Sequence, residues 1–279
     1  MQYPQLSVRR VCALFGVNRT WYTAHPSGPA QQGRAAAVRT KMAQIRECFP
    51  YYGYRRMTHA LRRAGWTINH KQVRRLLDPL PIRRRRVQRF IPHTTAAQHA
   101  YCRYPNVLLG RTLHHLNEAW VADLTYVRLP TTFLYLACIL DAYSRRCIGW
   151  ALTPWLDTRV TLAALEHAVV LRQPAPGLIH HSDQGVQNAS NAYIVRLRHI
   201  GAQFSMALAG NPYEHALIES FFKTLRREEL SRRRYQGYAD AYASIAAYLH
   251  VYNTERLHSW LGYRPPAEFE EAYAAARRW

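Results

Sequence analysis

Residues 178–185 read LIHHSDQG, and residues 211–230 read NPYEHALIESFFKTLRREEL; how these two pieces are read decides the fold. In the first, Leu178 and Ile179 meet polar residues and Gly185, the pattern of a buried strand ending in a loop, so Asp183 falls at a strand's end. The second follows an Asn-Pro turn signal and reads as helix. At about 100° per residue, Leu217, Ile218, Phe221, Phe222 and Leu225 form one apolar stripe, while Glu219, Lys223 and Arg226 gather on the opposite side. One acid and two cations therefore share the face that does not pack.

Working outward, AWVADLTYVRLP (119–130) carries a third acid, Asp123, in an alternating β-rich run, and TFLYLACILDAYS (132–144) supplies a second such run. Three acids on separate elements suit a site assembled in space. Hard divalent cations prefer oxygen ligands, and a pair roughly 3.5–4 Å apart can clamp the attacking and leaving oxygens of a phosphoryl transfer.

At these residues the chain resembles the second-reading-frame product (OrfB) of IS-three-type bacterial insertion-sequence transposases, relatives of retroviral integrases. The resemblance is carried by W-x-x-D-x-T-Y from Trp120, D-x-x-S-R from Asp141 with GW at 149–150, and HSD at 181–183. It continues in GNPY at 210–213, ESFF at 219–222, and Y-N-x-x-R-x-H-x-x-L-G-Y-x-P-P at 252–266. The 35 residues between Asp183 and Glu219 equal the family's usual gap, and Arg226 fills its basic position seven after the glutamate.

The resemblance implies a DDE-type polynucleotidyl transferase of α/β class, with a ribonuclease-H-like catalytic core behind a small helical domain. Asp123, Asp183 and Glu219 would be the catalytic acids holding two divalent metal ions, Mg2+ or Mn2+, and Lys223 and Arg226 would face DNA phosphates. It implies nicking of element ends and transfer by the freed 3′ hydroxyl, a first-frame (OrfA) partner or fusion, and a homo-oligomer in the synapse. The chain departs from the family at HSDQGVQN and YEHA, where Gln184, Asn188, Glu214 and His215 stand at altered positions. Those departures support an alternative, a catalytically weak or inactive DNA-binding regulator derived from a transposase.

Charge points the same way. The net charge is +21, and residues 1–92 hold 19 Lys and Arg against only Glu47 and Asp78. So one-sided a distribution predicts a polyanionic partner bound with steep salt dependence: nucleic acid, which the resemblance makes double-stranded DNA, rather than a membrane surface or an acidic protein, neither of which explains the acids downstream. SVRRVCALFGVNRTWY (7–22) places Val8, Val11, Cys12 and Phe15 at helical spacing. After a linker at 26–33, Val38, Met42, Ile45 and Phe49 predict a second helix. YGYRRMTHALRRAGWTINHKQVRRLL (52–77) then resembles a helix-turn-helix, with Met57, Ala60 and Leu61 on one stripe, Gly65 as the break, and Val73, Leu76 and Leu77 on another. Its second helix would present Lys71, Gln72, Arg74 and Arg75 to DNA. The run Arg83, Arg84, Arg85 and Arg86 in RRRRVQRF suits phosphate tracking.

These signals divide the chain into an N-terminal helical segment and linker (1–33), a basic helix-turn-helix-like domain (34–90), a connector (91–116) and a catalytic core with a helical cap (117–279). Within the core, strands are expected at 120–129, 133–141 and 145–152. A helix at 158–171 with Thr158 near its cap follows, then the Asp183 strand, a helix at 190–199, a short strand at 203–206 and the Glu219 helix. The last helix is expected at 238–252, with Tyr242, Ile245, Tyr248 and Leu249 packing.

Several residues invite competing readings. Asp141 with Ser144 and Arg145 reads as turn structure. Alternation sends His180 and His181 to opposite faces, which favours two hydrogen-bonding core histidines over ligands. Tyr252, Asn253, Arg256 and His258 suit either DNA contact or a packed C-terminal cap. His93, His99 and Cys102 lack the two-and-two spacing of a zinc site. The odd set Cys12, Cys48, Cys102, Cys138 and Cys147, without C-x-x-C, argues against a disulfide framework. With no apolar run near the roughly 20 residues that span a bilayer, and no signal-peptide core in MQYPQLSVRR, the expected location is the bacterial cytoplasm, at the nucleoid.

Overall fold

A computed structural model describes residues 7–20, 29–77, 104–183, 190–207 and 216–277. The chain divides into two compact units, Met1–Ile82 and Arg83–Trp279.

The first unit holds α1 (Val8–Leu14), α2 (Pro29–Cys48), α3 (Tyr54–Arg63) and α4 (His70–Leu77). Ser7 caps α1, its Oγ accepting the Arg10 amide. Phe15, expected on the packing side, lies exposed just past the helix end. α2 starts at Pro29, inside the expected linker, because proline is tolerated at a first helical position. Val38, Met42, Met57, Leu61, Ile68, Val73 and Leu77 are buried. Between α3 and α4 the chain reverses at Gly65, whose φ of 85° is strained for any residue with a Cβ. The turn closes α3 with Gly65 N donating to Arg62 O (3.0 Å) and Trp66 N to Leu61 O (3.0 Å). Asn69 caps α4, its Oδ1 accepting from Lys71 N at 2.9 Å.

The second unit is built on a five-stranded sheet of β1 (Ala119–Arg128), β2 (Phe133–Asp141), β3 (Cys147–Thr153), β4 (Ile179–Ser182) and β5 (Gln203–Met206), in the order β3-β2-β1-β4-β5. β1 and β2 are antiparallel from Trp120↔Asp141 to Arg128↔Phe133, as are β2 and β3. β1 and β4 are parallel, as are β4 and β5. This antiparallel meander followed by parallel strands is the ribonuclease-H-like order. A central strand is buried on both faces, so β1 alternates between two cores rather than between core and water. Trp120 and Ala122 pack with α5 (Thr158–Arg172) and α6 (Asn191–His199). Ala119, Val121 and Val127 pack with α7 (Ala216–Leu225) and α8 (Tyr238–Thr254).

Two local features fix these layers. A Cβ on Gly149 would lie 2.3 Å from the Ala164 carbonyl oxygen, so only glycine lets α5 sit this close to β3. The cap of α5 is Asp157, next to Thr158, the residue expected near it; Asp157 Oδ1 accepts from Arg159 N at 2.9 Å, because an extended residue just before the helix has its side chain in reach of the first free amides.

The C-terminal region is a packed cap. α7 runs into a π-turn, Arg226–Leu230, that carries two acids inward. Glu229 accepts from Tyr235 Oη (3.0 Å) and Ser244 Oγ (2.5 Å), and Glu228 accepts two bonds from Arg256, at 2.7 and 2.8 Å. The Asn253 side chain completes β3, accepting from Cys147 N (2.9 Å) and donating to Cys147 O (2.8 Å). Tyr252 Oη donates to Arg145 O at 3.2 Å, and its ring meets His258 edge-on. Of the two readings open for Tyr252, Asn253, Arg256 and His258, packing accounts for their contacts. Tyr242, expected to pack with them, is 46% exposed.

A further helix, α9 (Pro266–Ala276), follows the one expected to be last. Its Glu270 is buried and accepts from Ser144 Oγ (2.6 Å), Arg146 Nη1 (2.5 Å) and Arg172 Nη2. Beside it Asp141 accepts amide bonds from Asn117 (2.7 Å), Tyr143 (2.9 Å) and Ser144 (2.9 Å), the turn role read for it from sequence.

Candidate active site

Asp123 lies in the middle of β1, on the face toward α7, because alternation places it with Val121 and Val127. The β1–β4 register ends at Ala122↔Ser182, so the next positions along the two strands are Asp123 and Asp183. Adjacent strands lie about 4.8 Å apart, which makes the two acids neighbours at the point where β4 gives way to loop. Each is half-buried.

The electrostatics follow from that placement. Burial pushes the Asp123 carboxyl well above the usual carboxylate range, and the charge of Asp183 pushes it further. The Leu124 amide, donating to Asp123 Oδ1 at 2.7 Å, pulls in the opposite direction, as does the Arg226 guanidinium. Glu219 adds a smaller upward push. Two other acids and the cation therefore act on one carboxylate.

Glu219 sits in the first turn of α7, whose Ile218, Phe221, Phe222 and Leu225 are buried as the stripe requires. Its carboxylate is paired with Lys223 Nζ at 3.4 Å, and among the described residues no three His, Cys, Asp or Glu side chains are gathered around a metal position. An exposed pair four residues apart on a helix is worth only about 0.3–0.5 kcal/mol, too little to hold Glu219 from a stronger ligand. Arg226 is exposed, yet its Nη2 donates to Thr125 Oγ1 at 2.9 Å, across to β1. Thr125 was missed by sequence reasoning, although it lies two residues after Asp123 and alternation alone puts it on the same face.

The neighbouring histidines point to opposite faces of β4, as alternation demands: His181, level with Val121, shares the face of Asp123, and His180, level with Trp120, lies on the other. His180 faces α6, its Nε2 3.0 Å from Tyr193 Oη, and burial, with the nearby His181, drives its pKa down to about 3. His181 faces Ser205 Oγ through Nδ1 at 2.8 Å. Both are buried, in the structural role expected of them.

In the first unit Lys71, Gln72, Arg74 and Arg75 are all exposed on α4, and Arg74 also lies over the Tyr54 ring at 5.9 Å. Arg83, Arg84, Arg85 and Arg86 lie outside the described residues, as do Gln184, Asn188, Glu214, His215, His93, His99 and Cys102. No helix among the described residues is long and apolar enough to cross a membrane.

Comparison with known proteins accords with this layout. An HTH-like domain family matches residues 34–90, and two families described as integrase core domain match residues 114–212 and 200–266. The chain is 36% identical to the 31 kDa protein of insertion element IS600 from Shigella sonnei, over 94% of this chain and 98% of that one. It is 30% identical to the transposase InsF of insertion sequence IS3A from Escherichia coli K12, over 95% and 94%. Among solved structures, the simian T-cell lymphotropic virus intasome in complex with PP2A regulatory subunit B56 gamma aligns over 82% of this chain and 73% of that one, at TM-score 0.49 and 16% identity. At such identity over nearly its whole length, the chain belongs to the insertion-sequence transposases that join an HTH-like domain to an integrase core domain.

Proposed function

We propose that this transposase nicks the ends of its element and joins the freed 3′ hydroxyl to target DNA, with Asp123, Asp183 and Glu219 as the catalytic acids. The observation that carries this reading is the β1–β4 register, which brings Asp183 to the position next to Asp123, with Arg226 held beside them on Thr125 and Glu219 near enough to act on the Asp123 carboxyl. Two like charges side by side, one of them desolvated, are costly without a cation, and an all-carboxylate donor set suits hard divalent metals such as Mg2+ or Mn2+. Asp123, Asp183 and Glu219 would hold such ions, which supply charge neutralisation and activation of a hydroxyl nucleophile in phosphoryl transfer.

The remaining roles fall to the chain's own groups. Thr125 anchors Arg226 beside Asp123, keeping a cation at the edge of the acids where a phosphate oxygen develops charge. Lys223, 75% exposed in its side chain, offers a mobile charge to the DNA backbone. The HTH-like unit binds double-stranded DNA through the exposed basic side of α4, and Arg83, Arg84, Arg85 and Arg86, later in the sequence, add cationic charge for the same polyanion. A first-frame (OrfA) partner and a homo-oligomeric synapse belong to the same proposal.

The test incubates purified protein with labelled duplex carrying the element ends in Mg2+ or Mn2+, comparing wild type with Asp123→Asn, Asp183→Asn and Glu219→Gln. Metal-dependent nicking and joining that all three substitutions abolish, with duplex binding retained, is the expected result. Binding without products, both alone and with the first-frame partner, would favour the regulator reading.

A further inference from the structure

Beside α4 the first unit carries a cleft of about 790 Å3 that the exposed basic face of that helix does not explain. It is lined by Arg34 of α2, Arg62 of α3, the turn residues Trp66, Thr67 and Asn69, and Gln72 of α4. Two cations from different helices are fixed there by the backbone of the turn. Arg34 Nη2 donates to Thr67 O at 2.9 Å, and Arg62 Nε donates to Ile68 O at 3.2 Å. A guanidinium has five N–H donors in a rigid fork, so one bond to a carbonyl orients it and leaves donors for a second acceptor.

The surroundings favour an anion. Among the described residues no carboxylate lines the cleft, the two guanidinium groups raise the local positive potential, and the indole of Trp66 offers an apolar wall. Both arginines are exposed and neither has an acidic partner among the ion pairs of the described residues, unlike Arg146, Arg172 or Arg256 in the second unit. Gln72 borders the cleft from the same helix that presents Lys71, Arg74 and Arg75, so an anion held here lies beside the helix expected to enter a groove.

We propose that this cleft clamps a backbone phosphate of duplex DNA, with Arg34 and Arg62 as the paired donors and Trp66 against the adjoining sugar. The proposal rests on the HTH-like unit binding DNA. It adds α2 and the α3–α4 turn to the footprint and gives them a positioning role: phosphate contacts set register and orientation and carry no sequence information.

Salt dependence tests it. Fluorescence anisotropy of the full chain would be measured with an element-end duplex and a random duplex across a salt series, for wild type and for Arg34→Gln/Arg62→Gln. One lost phosphate contact reduces the slope of log K against log salt by about 0.9 and weakens binding near 0.1 M salt about tenfold, equally on both duplexes. Thr67→Glu, an exposed turn substitution that sets a carboxylate beside Arg34, should do the same and decides the matter if the double variant melts abnormally. An unchanged slope in a natively melting variant, or a loss confined to the element-end duplex, would overturn the clamp while leaving DNA binding by α4 intact. Wild-type protein without salt-dependent duplex binding would overturn the DNA-binding reading and the clamp with it.

Discussion

Replacing Arg256 by methionine separates a packed C-terminal cap from a DNA-contacting one. The Arg256 side chain is 3% exposed and that of Glu228 10%, and the two share bonds of 2.7 and 2.8 Å. Methionine keeps most of the volume of the arginine stem but strips Glu228 of its main cation. Breaking one side of a buried pair costs about 3–5 kcal/mol, since the remaining charge is left desolvated. Here Tyr248 Oη at 3.3 Å and Arg227 at 3.5 Å still reach Glu228, which argues for the lower end, about 3 kcal/mol. For a unit of this size that corresponds to a fall in Tm of roughly 6–12 °C. Circular dichroism melts would read the change, and duplex anisotropy at 20 °C would read DNA binding in parallel. Glu228→Gln/Arg256→Met should recover most of the loss, because a double replacement removes the orphaned charge. A melt within about 2 °C of wild type together with a tenfold loss of DNA affinity would refute the packing account and make Arg256 a DNA contact.

Three further outcomes follow from the geometry. Gly149→Ala puts a Cβ 2.3 Å from Ala164 O, so it should destabilise the second unit by about 2 kcal/mol or more; urea midpoints within error of wild type would show that α5 can shift freely. His180, driven to about pKa 3, refuses a proton that the unfolded chain takes up below pH 6.5, so stability falls with pH through that window, by up to about 1.4 kcal/mol per pH unit. His180→Gln, which keeps an acceptor for Tyr193, should flatten that slope between pH 7 and 5, and parallel slopes would count against it. In EDTA, Asp123→Asn should raise Tm by a few degrees, since it removes a carboxyl that is ionised in the unfolded chain and must take up a proton, or bear a desolvated charge beside Asp183, on folding, and it should abolish the Tm increase that magnesium gives wild type. A magnesium shift that persists in the variant would count against Asp123 as a ligand.

What could be read from the residues alone divides along a physical line. Period-two and period-3.6 patterns are local, so β1 to β5, α7 and the opposed faces of His180 and His181 were all legible. The pairing of Asp123 with Asp183 depends on a parallel register joined only after β2, β3 and α5 have intervened, and no periodicity reports it. The π-turn at Arg226–Leu230 carries no glycine or proline to mark it. RREEL reads as a solvated charged run until Arg256, Tyr235 and Ser244 arrive from later elements to satisfy Glu228 and Glu229. α9 carries a local signal, proline at its first position followed by alanine and glutamate, just past the double proline at which the motif resemblance ends. Its buried Glu270 then binds Ser144, Arg146 and Arg172, tying the far C-terminus to the β2–β3 turn and to the end of α5. The same turn holds Asp141, so the residue most easily mistaken for a catalytic acid is instead committed to three backbone amides. A carboxylate with three of its roughly four acceptor sites taken by amides is a poor metal ligand. Asp123, with one amide bond, a like-charged neighbour and a cation across the strand, keeps the acceptor capacity that a metal-dependent site requires.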